Sequence, residues 1–391
     1  MVLAKIPDAQ GQLVPGVKGI SLFIVPKKLL DSHGQPTGER NDVALAGLNH
    51  KCGWRGTTNT LLNFGEGKYP VRGAPGAVGY LVGQVGQGLR CMFHMMNEAR
   101  IGVGMAATML GMAGYYASLD YAKNRPQGRP LGAGGKDASR PQVRIIEHAD
   151  IKRMLLAQKA YSEGALALAL YCARLVDEQH TGTPQDADVS RLLLEVLTPI
   201  AKSFPSEWCL EANSLAIQIH GGYGYTRDFP VEQYWRDNRL NMIHEGTHGI
   251  QAMDLLGRKV LMENGRGLQL LGERMLATAQ QAGSDWASES AALREALAQV
   301  GQATQQAWAR AEPAQALANA VPYLQAFGHT VIAWIWLDVA SRMGHDTRVA
   351  MQGRKAACRY FYRYELPKIG AWLNVVKSRD ATCADLPEEA F

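Results

Sequence analysis

The sequence predicts a mainly α-helical protein with a small β part at its N-terminal end. After residue 84, long runs repeat apolar residues at helical spacing and contain few helix breakers. Short loops separate these runs, which is typical of a helical bundle. Residues 1–72, by contrast, are rich in glycine, proline and β-branched residues, which favour strands and turns.

The elements follow in a clear order along the chain. The segments "GISLFIVPKK" and "TTNTLLNFGEG" predict strands that end in turn residues. About four long antiparallel helices follow. An irregular loop is expected over 127–141, after the first of them, and "HTGTPQDAD" (180–188) is expected to separate the next two. "ENGRG" (263–267) predicts a linker before a last helical region. We therefore expect a partial β domain over residues 1–75, a helical bundle over residues 80–262 and an additional helical domain over residues 265–391. The β part is small for a domain, because its strands need partners.

Composition excludes several classes of protein. With 391 residues, 47% of them hydrophobic and 20% charged, the chain has the balance of a soluble globular protein of two or three domains. A net charge of +5 without a long Lys/Arg run gives no support to nucleic-acid binding. The six cysteines are scattered without a C-x-x-C pair, which favours a reducing compartment and hence the cytoplasm. Charges interrupt the apolar runs, so we expect no membrane span.

One short stretch, "IHEGTHGIQ" (243–251), admits several interpretations. His244, Glu245 and His248 match the H-E-x-x-H zinc motif, in which two histidines one helical turn apart bind the metal. The sequence offers no convincing third ligand, and a Gly246-Thr247 pair is unfavourable inside a helix, so we expect no metal. In a simpler interpretation, Glu245 is only a charge at a helix N-terminus that Thr247 caps. In a third, Glu245 is a base that takes a proton from carbon.

A longer pattern surrounds this stretch. Residues 218–251, "QIHGGYGYTRDFPVEQYWRDNRLNMIHEGTHGIQ", resemble the pattern Q-I-x-G-G-x-G-[YF], P-V-E, R-D and I-x-E-G-T-x-x-I-Q of acyl-CoA dehydrogenases, in order, spacing and residue type. "GLNHKCGWRGTTNTLLNFGEG", the helix "MNEARIGVGMAATMLGMAGYYASLDYAKNR" and "IIEHADIKRML" are similar to further segments of that family. The resemblance covers nearly the whole chain.

The resemblance implies a particular arrangement of domains. Residues 265–391, with "KAACRYFYRYELP", resemble the extra C-terminal helical domain of the long form of the family, which includes 3-methylmercaptopropionyl-CoA dehydrogenase. The expected fold is thus a remnant of the middle β domain, the four-helix C-terminal bundle of the family and this additional domain. The family's N-terminal helical domain and the first part of its β domain are expected to be missing from this sequence.

The resemblance also implies a chemistry. Glu245 matches the base that removes the Cα proton of an acyl-CoA thioester while the Cβ hydride passes to flavin N5 of FAD. Its peptide N–H would polarise the thioester carbonyl, and Gly246 would let the substrate approach the backbone closely. Asn97 and Arg100 match residues that meet the CoA portion. Matches to FAD-binding residues are Arg125, Gln218, Ile219, His220, Gly221, Gly222 and Thr247.

The family further implies electron-transfer flavoprotein as the electron acceptor. It also implies a homo-oligomer, a dimer or a tetramer, in which Arg125 and the Gln218–Gly222 turn serve a neighbouring subunit. Two alternatives stay open. One is an acyl-CoA oxidase-like flavoprotein with oxygen as the acceptor, and the other is a catalytically silent helical scaffold or partner subunit.

Overall fold

The computed structural model describes residues 1–132, 134–136, 139–310 and 312–391 of the chain. It confirms the predicted class, a predominantly helical protein with a small β part. The strands are β1 (Val2–Lys5), β2 (Ile20–Ile24), β3 (Lys28–Leu30), β4 (Pro36–Arg40), β5 (Val43–Leu48), β6 (Thr60–Phe64), β7 (Tyr80–Val82), β8 (Leu131–Gly132) and β9 (Gly135–Lys136). The α-helices are α1 (Gly88–Asn124), α2 (Ala149–Thr181), α3 (Pro184–His220), α4 (Val231–Asn238), α5 (His248–Gly257), α6 (Arg266–Gln281), α7 (Ala287–Ala307), α8 (Pro313–Leu317), α9 (Ala320–Arg342), α10 (Val349–Tyr360), α11 (Ile369–Ser378) and α12 (Thr382–Asp385).

The chain divides into two compact units, Met1–Ala99 and Arg100–Phe391. In the first unit, β2 lies between β1 and β7 in an antiparallel sheet, and β3–β4 and β5–β6 form two-stranded pairs. The buried carboxylate of Asp42 accepts backbone N–H bonds from Gly67 at 2.6 Å, Tyr69 at 3.0 Å and Gly76 at 3.1 Å. Since these donors lie well apart from Asp42 in sequence, this one side chain fixes the long loop that follows β6.

Helices α1 and α3 approach closely in the second unit because small residues line one side of α1. A Cβ atom on Gly104 would lie 2.0 Å from the carbonyl oxygen of Ala201, and one on Gly111 would lie 2.7 Å from Cβ of Cys209. Pro205 lacks the N–H that would donate to the carbonyl of Ala201 four residues earlier, so the Ala201 carbonyl lacks its usual helical hydrogen bond. The helices therefore meet backbone to backbone, which only glycine permits on α1.

One continuous apolar core extends from α2 and α3 into the C-terminal helices. Its members range from Ala157 to Val376, and α9 lies at its centre with apolar residues buried on all sides. The indole Nε1 of Trp336 on α9 donates to the carbonyl of Ala160 on α2 at 3.0 Å. A helix that is apolar all round is buried by other helices. Within the described residues, no helix combines the length and the hydropathy that a membrane span needs.

Several boundaries differ from the sequence prediction. The loop "HTGTPQDAD" (180–188) was expected to separate two helices, but α3 already begins at Pro184. Thr183 caps it by accepting the N–H of Asp186 at 3.2 Å, and proline is well tolerated in the first turn. The irregular loop expected over 127–141 contains the short β8–β9 pair among its described residues. Capping and turn residues set these boundaries, and the periodicity of apolar residues does not reveal them.

Candidate active site

Glu245 lies in a tight turn between two short helices. After α4 the chain continues as a 3-10 helix over Arg239–Met242 and then turns, and α5 begins at His248. Both Glu245, with φ of 55°, and Gly246, with φ of 97°, adopt positive φ angles. A non-glycine residue in this region is strained, and such strain persists only where the surroundings hold it. The Glu245 side chain is 31% exposed.

Buried side chains hold the two carbonyl groups of this turn. Gln251 on α5 donates from Nε2 to the carbonyl of Glu245 at 3.0 Å, and Lys202 on α3 donates from Nζ to the carbonyl of Gly246 at 2.7 Å. Both of these donors are buried. The turn is therefore anchored from the protein interior at two successive peptide groups.

Arg100 supports this arrangement from α1. Its guanidinium Nη1 donates to the carboxylate of Asp254 at 2.8 Å and lies 3.4 Å from Oε1 of Gln251. The Arg100 side chain is 4% exposed, whereas its Nε has no hydrogen-bond partner. In this structure the guanidinium orients Gln251, and a contact between Arg100 and CoA stays a prediction.

Two titratable groups near the turn have altered proton affinity. Burial lowers the pKa of Lys202 to about 8, while the Glu245 carboxylate acts in the opposite direction and the Arg100 charge adds to the lowering. Burial also lowers the pKa of His248 to about 4, with the charges of Lys202 and Arg239 contributing. His248 is consequently a neutral imidazole at neutral pH.

The two histidines of the H-E-x-x-H pattern point to different partners. His244 is 54% exposed, and its Nε2 lies 3.4 Å from the Glu245 carboxylate. His248 directs Nδ1 towards Glu207 at 3.6 Å. Because α5 begins only at His248, the two rings do not share one helical face as zinc binding would require. Among the side chains described here, no group of three or more potential ligands has an arrangement suited to a metal ion.

A second cluster brings together two of the predicted cofactor-binding segments. The Arg125 guanidinium lies 5.6 Å from the ring centroid of Tyr223, in the 3-10 turn Gly221–Tyr225 that follows α3. Gly221 has φ of 61°, and a Cβ atom on either Gly221 or Gly222 would meet nothing within 4 Å. The Nε of Arg125 is buried without a hydrogen-bond partner. A positive group with an unused donor beside open glycine backbone suits an anionic ligand.

The remaining predicted residues differ in accessibility. Gln218 and Thr247 are exposed, and Asn97 is half-buried on α1 in the first unit. Ile219 packs in a small apolar cluster, and the buried His220 stacks on Tyr121 with ring centroids 4.3 Å apart. Within 218–222, the side chain of Gln218 and the backbone of the glycines are accordingly the accessible groups. Thr247 occupies the N-cap position of α5, but its hydroxyl makes no capping bond.

The sequence interpretation missed Lys202 and Gln251. Lys202 was visible as a lone cation in the apolar segment "VLTPIAKSF", and Gln251 is the last residue of the motif that contains Glu245. A charged residue on an apolar helical face needs a buried partner. Its partner here is a backbone carbonyl distant in sequence, and no side-chain pattern encodes that contact.

Two domain families match this chain. Residues 136–261 match "Acyl-CoA dehydrogenase, C-terminal domain", and residues 271–387 match "Acetyl-CoA dehydrogenase C-terminal like". The chain is 36% identical, over 85% of its length, to 3-methylmercaptopropionyl-CoA dehydrogenase of Ruegeria pomeroyi. It is 32% identical, over its full length, to the broad-specificity linear acyl-CoA dehydrogenase FadE5 of Mycobacterium tuberculosis.

A solved structure shares the fold. Caenorhabditis elegans ACDH-11, in complex with C11-CoA, superposes with a TM-score of 0.76 at 21% identity, over 98% of this chain and 60% of that chain. The chain spans 54% of the length of the Ruegeria relative and 66% of the length of the Mycobacterium relative. The matched domains, the sequence identity and the shared fold agree with the motif around Glu245, and the chain belongs to the acyl-CoA dehydrogenase family.

Proposed function

We propose that this chain supplies the catalytic base and part of the flavin site of an FAD-dependent acyl-CoA dehydrogenase. The reaction removes one hydrogen from Cα and one from Cβ of an acyl-CoA thioester. The observation that carries the proposal is the Glu245 turn, in which a partly exposed carboxylate stands on strained backbone that buried donors hold in place. Strain of this kind concentrates at functional sites.

In the proposed mechanism, the Glu245 carboxylate takes the Cα proton. The Cα proton of a thioester is weakly acidic, so removal requires a fixed base and stabilisation of the developing enolate oxygen. The peptide N–H of Glu245 is the chain's own donor for that oxygen. Gly246 has no side chain to obstruct the substrate beside this backbone. FAD, when bound, supplies the acceptor for the Cβ hydride.

The residues around Arg125 fit the flavin's pyrophosphate. The guanidinium of Arg125 is positively charged, and its buried Nε has no hydrogen-bond partner. Gly221 and Gly222 leave open space beside their backbone. Gln218 adds an exposed amide. Thr247, at the N-terminus of α5, is a separate contact that we assign to the flavin of its own subunit, through a hydroxyl that its own helix does not use. Ile219 and His220 contribute through packing, because their side chains are buried. Following the family, we assign the Arg125 cluster to the flavin of a neighbouring subunit, within a homodimer or homotetramer.

Substrate and acceptor follow from the same proposal. Asn97 is assigned to the CoA portion of the substrate, and electron-transfer flavoprotein is the proposed acceptor. Arg100 was expected beside Asn97 as a second CoA contact. That contact stays a prediction, and the buried pairing of Arg100 with Asp254 adds a supporting role under Gln251.

The test is Glu245→Gln in protein produced from the complete reading frame. The variant should retain flavin, whereas anaerobic bleaching of the flavin by butanoyl-, octanoyl- or hexadecanoyl-CoA should slow by roughly 10²- to 10⁴-fold or more, as is typical for loss of a general base. Glu263→Gln is the matched control, because Glu263 also has positive φ, 49°, but pairs with Arg191 and Arg266. It should bleach at the wild-type rate.

Each other outcome has a definite meaning. Bleaching of Glu245→Gln at the wild-type rate would remove this residue from the mechanism. Wild-type protein that binds no flavin would support the scaffold interpretation. Peroxide formation on reoxidation in air, at the rate of substrate turnover, would indicate an oxidase.

A further inference from the structure

We infer that Lys202 and Gln251 are positioning residues that hold the Glu245 carboxylate at its working place by fixing the backbone beneath it. This inference rests on the proposed function, since it concerns the base assigned there. It assigns a role to two residues other than Glu245. Gln251 ends the motif that contains Glu245, and Lys202 comes from a different helix, α3.

The turn at Glu245 has an unfavourable shape. Two successive positive φ angles place Glu245 in a conformation that its own side chain disfavours. Thr247, the next residue, gives the following helix no capping bond. A cap from Thr247 therefore does not hold the turn, and bonds from other side chains must do so.

Buried donors satisfy both carbonyl groups of this turn. Gln251 reaches the carbonyl of Glu245, and Lys202 reaches the carbonyl of Gly246. Each donor is buried, so neither has water as a ready alternative partner. A peptide group whose carbonyl is bonded inward cannot rotate without leaving a buried donor unpaired, and this couples the donors to the direction of the Glu245 side chain.

Neighbouring charged groups support these donors. Gln251 is itself oriented by Arg100, and Arg100 is held by Asp254. Lys202 retains a charge close to the carboxylate of Glu245, despite the cost of burial. An uncharged, apolar side chain would pack in that place at a lower cost, so the ammonium group is explained by the turn that it holds.

A buried lysine elsewhere in the same unit provides the matched control. Lys259 is also buried, its pKa is also lowered to about 8 by burial, and it pairs with Glu195. Lys259→Met and Lys202→Met thus remove the same group from similar surroundings. Both variants should lose stability, but only Lys202→Met releases the Glu245 turn.

The experiment compares Lys202→Met, Gln251→Met and Lys259→Met in flavin-loaded protein from the complete reading frame. Butanoyl-CoA and hexadecanoyl-CoA serve as short and long probes, and stopped-flow bleaching gives the rate at saturation and the half-saturating concentration. We expect the saturating rate to fall roughly 10- to 100-fold in the first two variants, since small displacements of a reacting group have effects of this size. Half-saturation should change little, and Lys259→Met should retain the wild-type rate.

Two further readouts separate positioning from a general loss of stability. With substrate deuterated at Cα, the isotope effect should increase in Lys202→Met and Gln251→Met, because proton removal becomes slower relative to the other steps. In the double variant, the two rate losses should combine to less than their product, since both act on one turn. Gln251→Met with Lys259→Met should combine multiplicatively. If Lys202→Met does not fold, Gln251→Met, which removes no charge, decides the question.

The inference is overturned if Lys202→Met and Gln251→Met bleach like Lys259→Met while Glu245→Gln is inactive. In that case the proposed function stands and the positioning role fails. If Glu245→Gln is itself active, the proposed function fails first, which is a distinguishable result.

Discussion

Gly246→Ala tests the strained turn with the smallest possible side chain. At φ of 97° an L-residue is disfavoured, and the new Cβ would lie 2.8 Å from Nε2 of Gln251. The left-handed backbone costs roughly 1–2 kcal/mol for a residue other than glycine. Displacing Gln251 from the carbonyl of Glu245 removes a hydrogen bond worth about 1 kcal/mol. The substitution therefore opposes the observed turn by roughly 2–3 kcal/mol.

This free energy can appear in two measurable quantities, the rate of flavin bleaching and the free energy of unfolding. If the turn relaxes to another shape, the active geometry becomes roughly 30- to 150-fold rarer, and flavin bleaching slows by that factor, since 1.4 kcal/mol corresponds to tenfold. If the turn is held in place, the same 2–3 kcal/mol appears as a lower free energy of unfolding. Stopped-flow bleaching and urea unfolding of the same preparation measure both, and the two losses together should account for the strain.

Gly249→Ala is the control for this substitution. Gly249 lies in the first turn of α5, and its added Cβ would have only Thr247 Oγ1 nearby, at 3.9 Å. We expect a wild-type bleaching rate and a gain of up to about 1 kcal/mol in stability from helix propensity. If Gly246→Ala matched Gly249→Ala in both measurements, the turn would not be strained and the account of Glu245 given above would be wrong.

Two further predictions concern the fold. Gly104→Ala should lower the free energy of unfolding relative to Gly102→Ala by about 1–3 kcal/mol. Both substitutions gain helix propensity, but only a Cβ at position 104 meets the carbonyl of Ala201. Urea unfolding of the pair measures the difference, and equal stability would refute the close approach of α1 and α3. Hydrogen bonds from backbone N–H groups, chiefly that of Tyr69, hold the pKa of Asp42 below its ordinary 3.8. The stabilisation that the Asp42 carboxylate gives the folded state is therefore complete above about pH 4 and is lost as the pH falls through the folded-state pKa. Asp42→Asn should therefore have a lower free energy of unfolding at neutral pH, and that free energy should fall less on acidification than in the wild type. Urea titrations at a series of pH values measure both, and a variant as sensitive to acid as the wild type would contradict the prediction.

The helices were predictable because their signal is local. Apolar periodicity located α1, α2 and most of α3, since each buries apolar residues along its length. The motif around Glu245 likewise carried its own position in the sequence, and the role of that residue as a base stays a prediction.

The support of the site was not predictable from spacing. Arg100 was assigned to the CoA portion from the resemblance to the family, and spacing gave no sign that its guanidinium meets Asp254, which lies 154 positions away in the sequence. Lys202 donates to a backbone carbonyl, an acceptor that every residue possesses and that no side-chain pattern distinguishes. Contacts of this kind depend on how the helices pack, which a single sequence does not state.

The central position of α9 has a consequence for biosynthesis. The bond between Trp336 and Ala160 joins residues 176 positions apart, and α9 completes the core around α2 and α3. At roughly 5–20 residues per second, the ribosome makes Ala160 about 9 to 35 seconds before Trp336 on the helix that covers it. During that interval the apolar faces of α2 and α3 lack their final partner, so the nascent chain is a substrate for chaperones that shield hydrophobic surface. The complete core can form only after translation has passed α9.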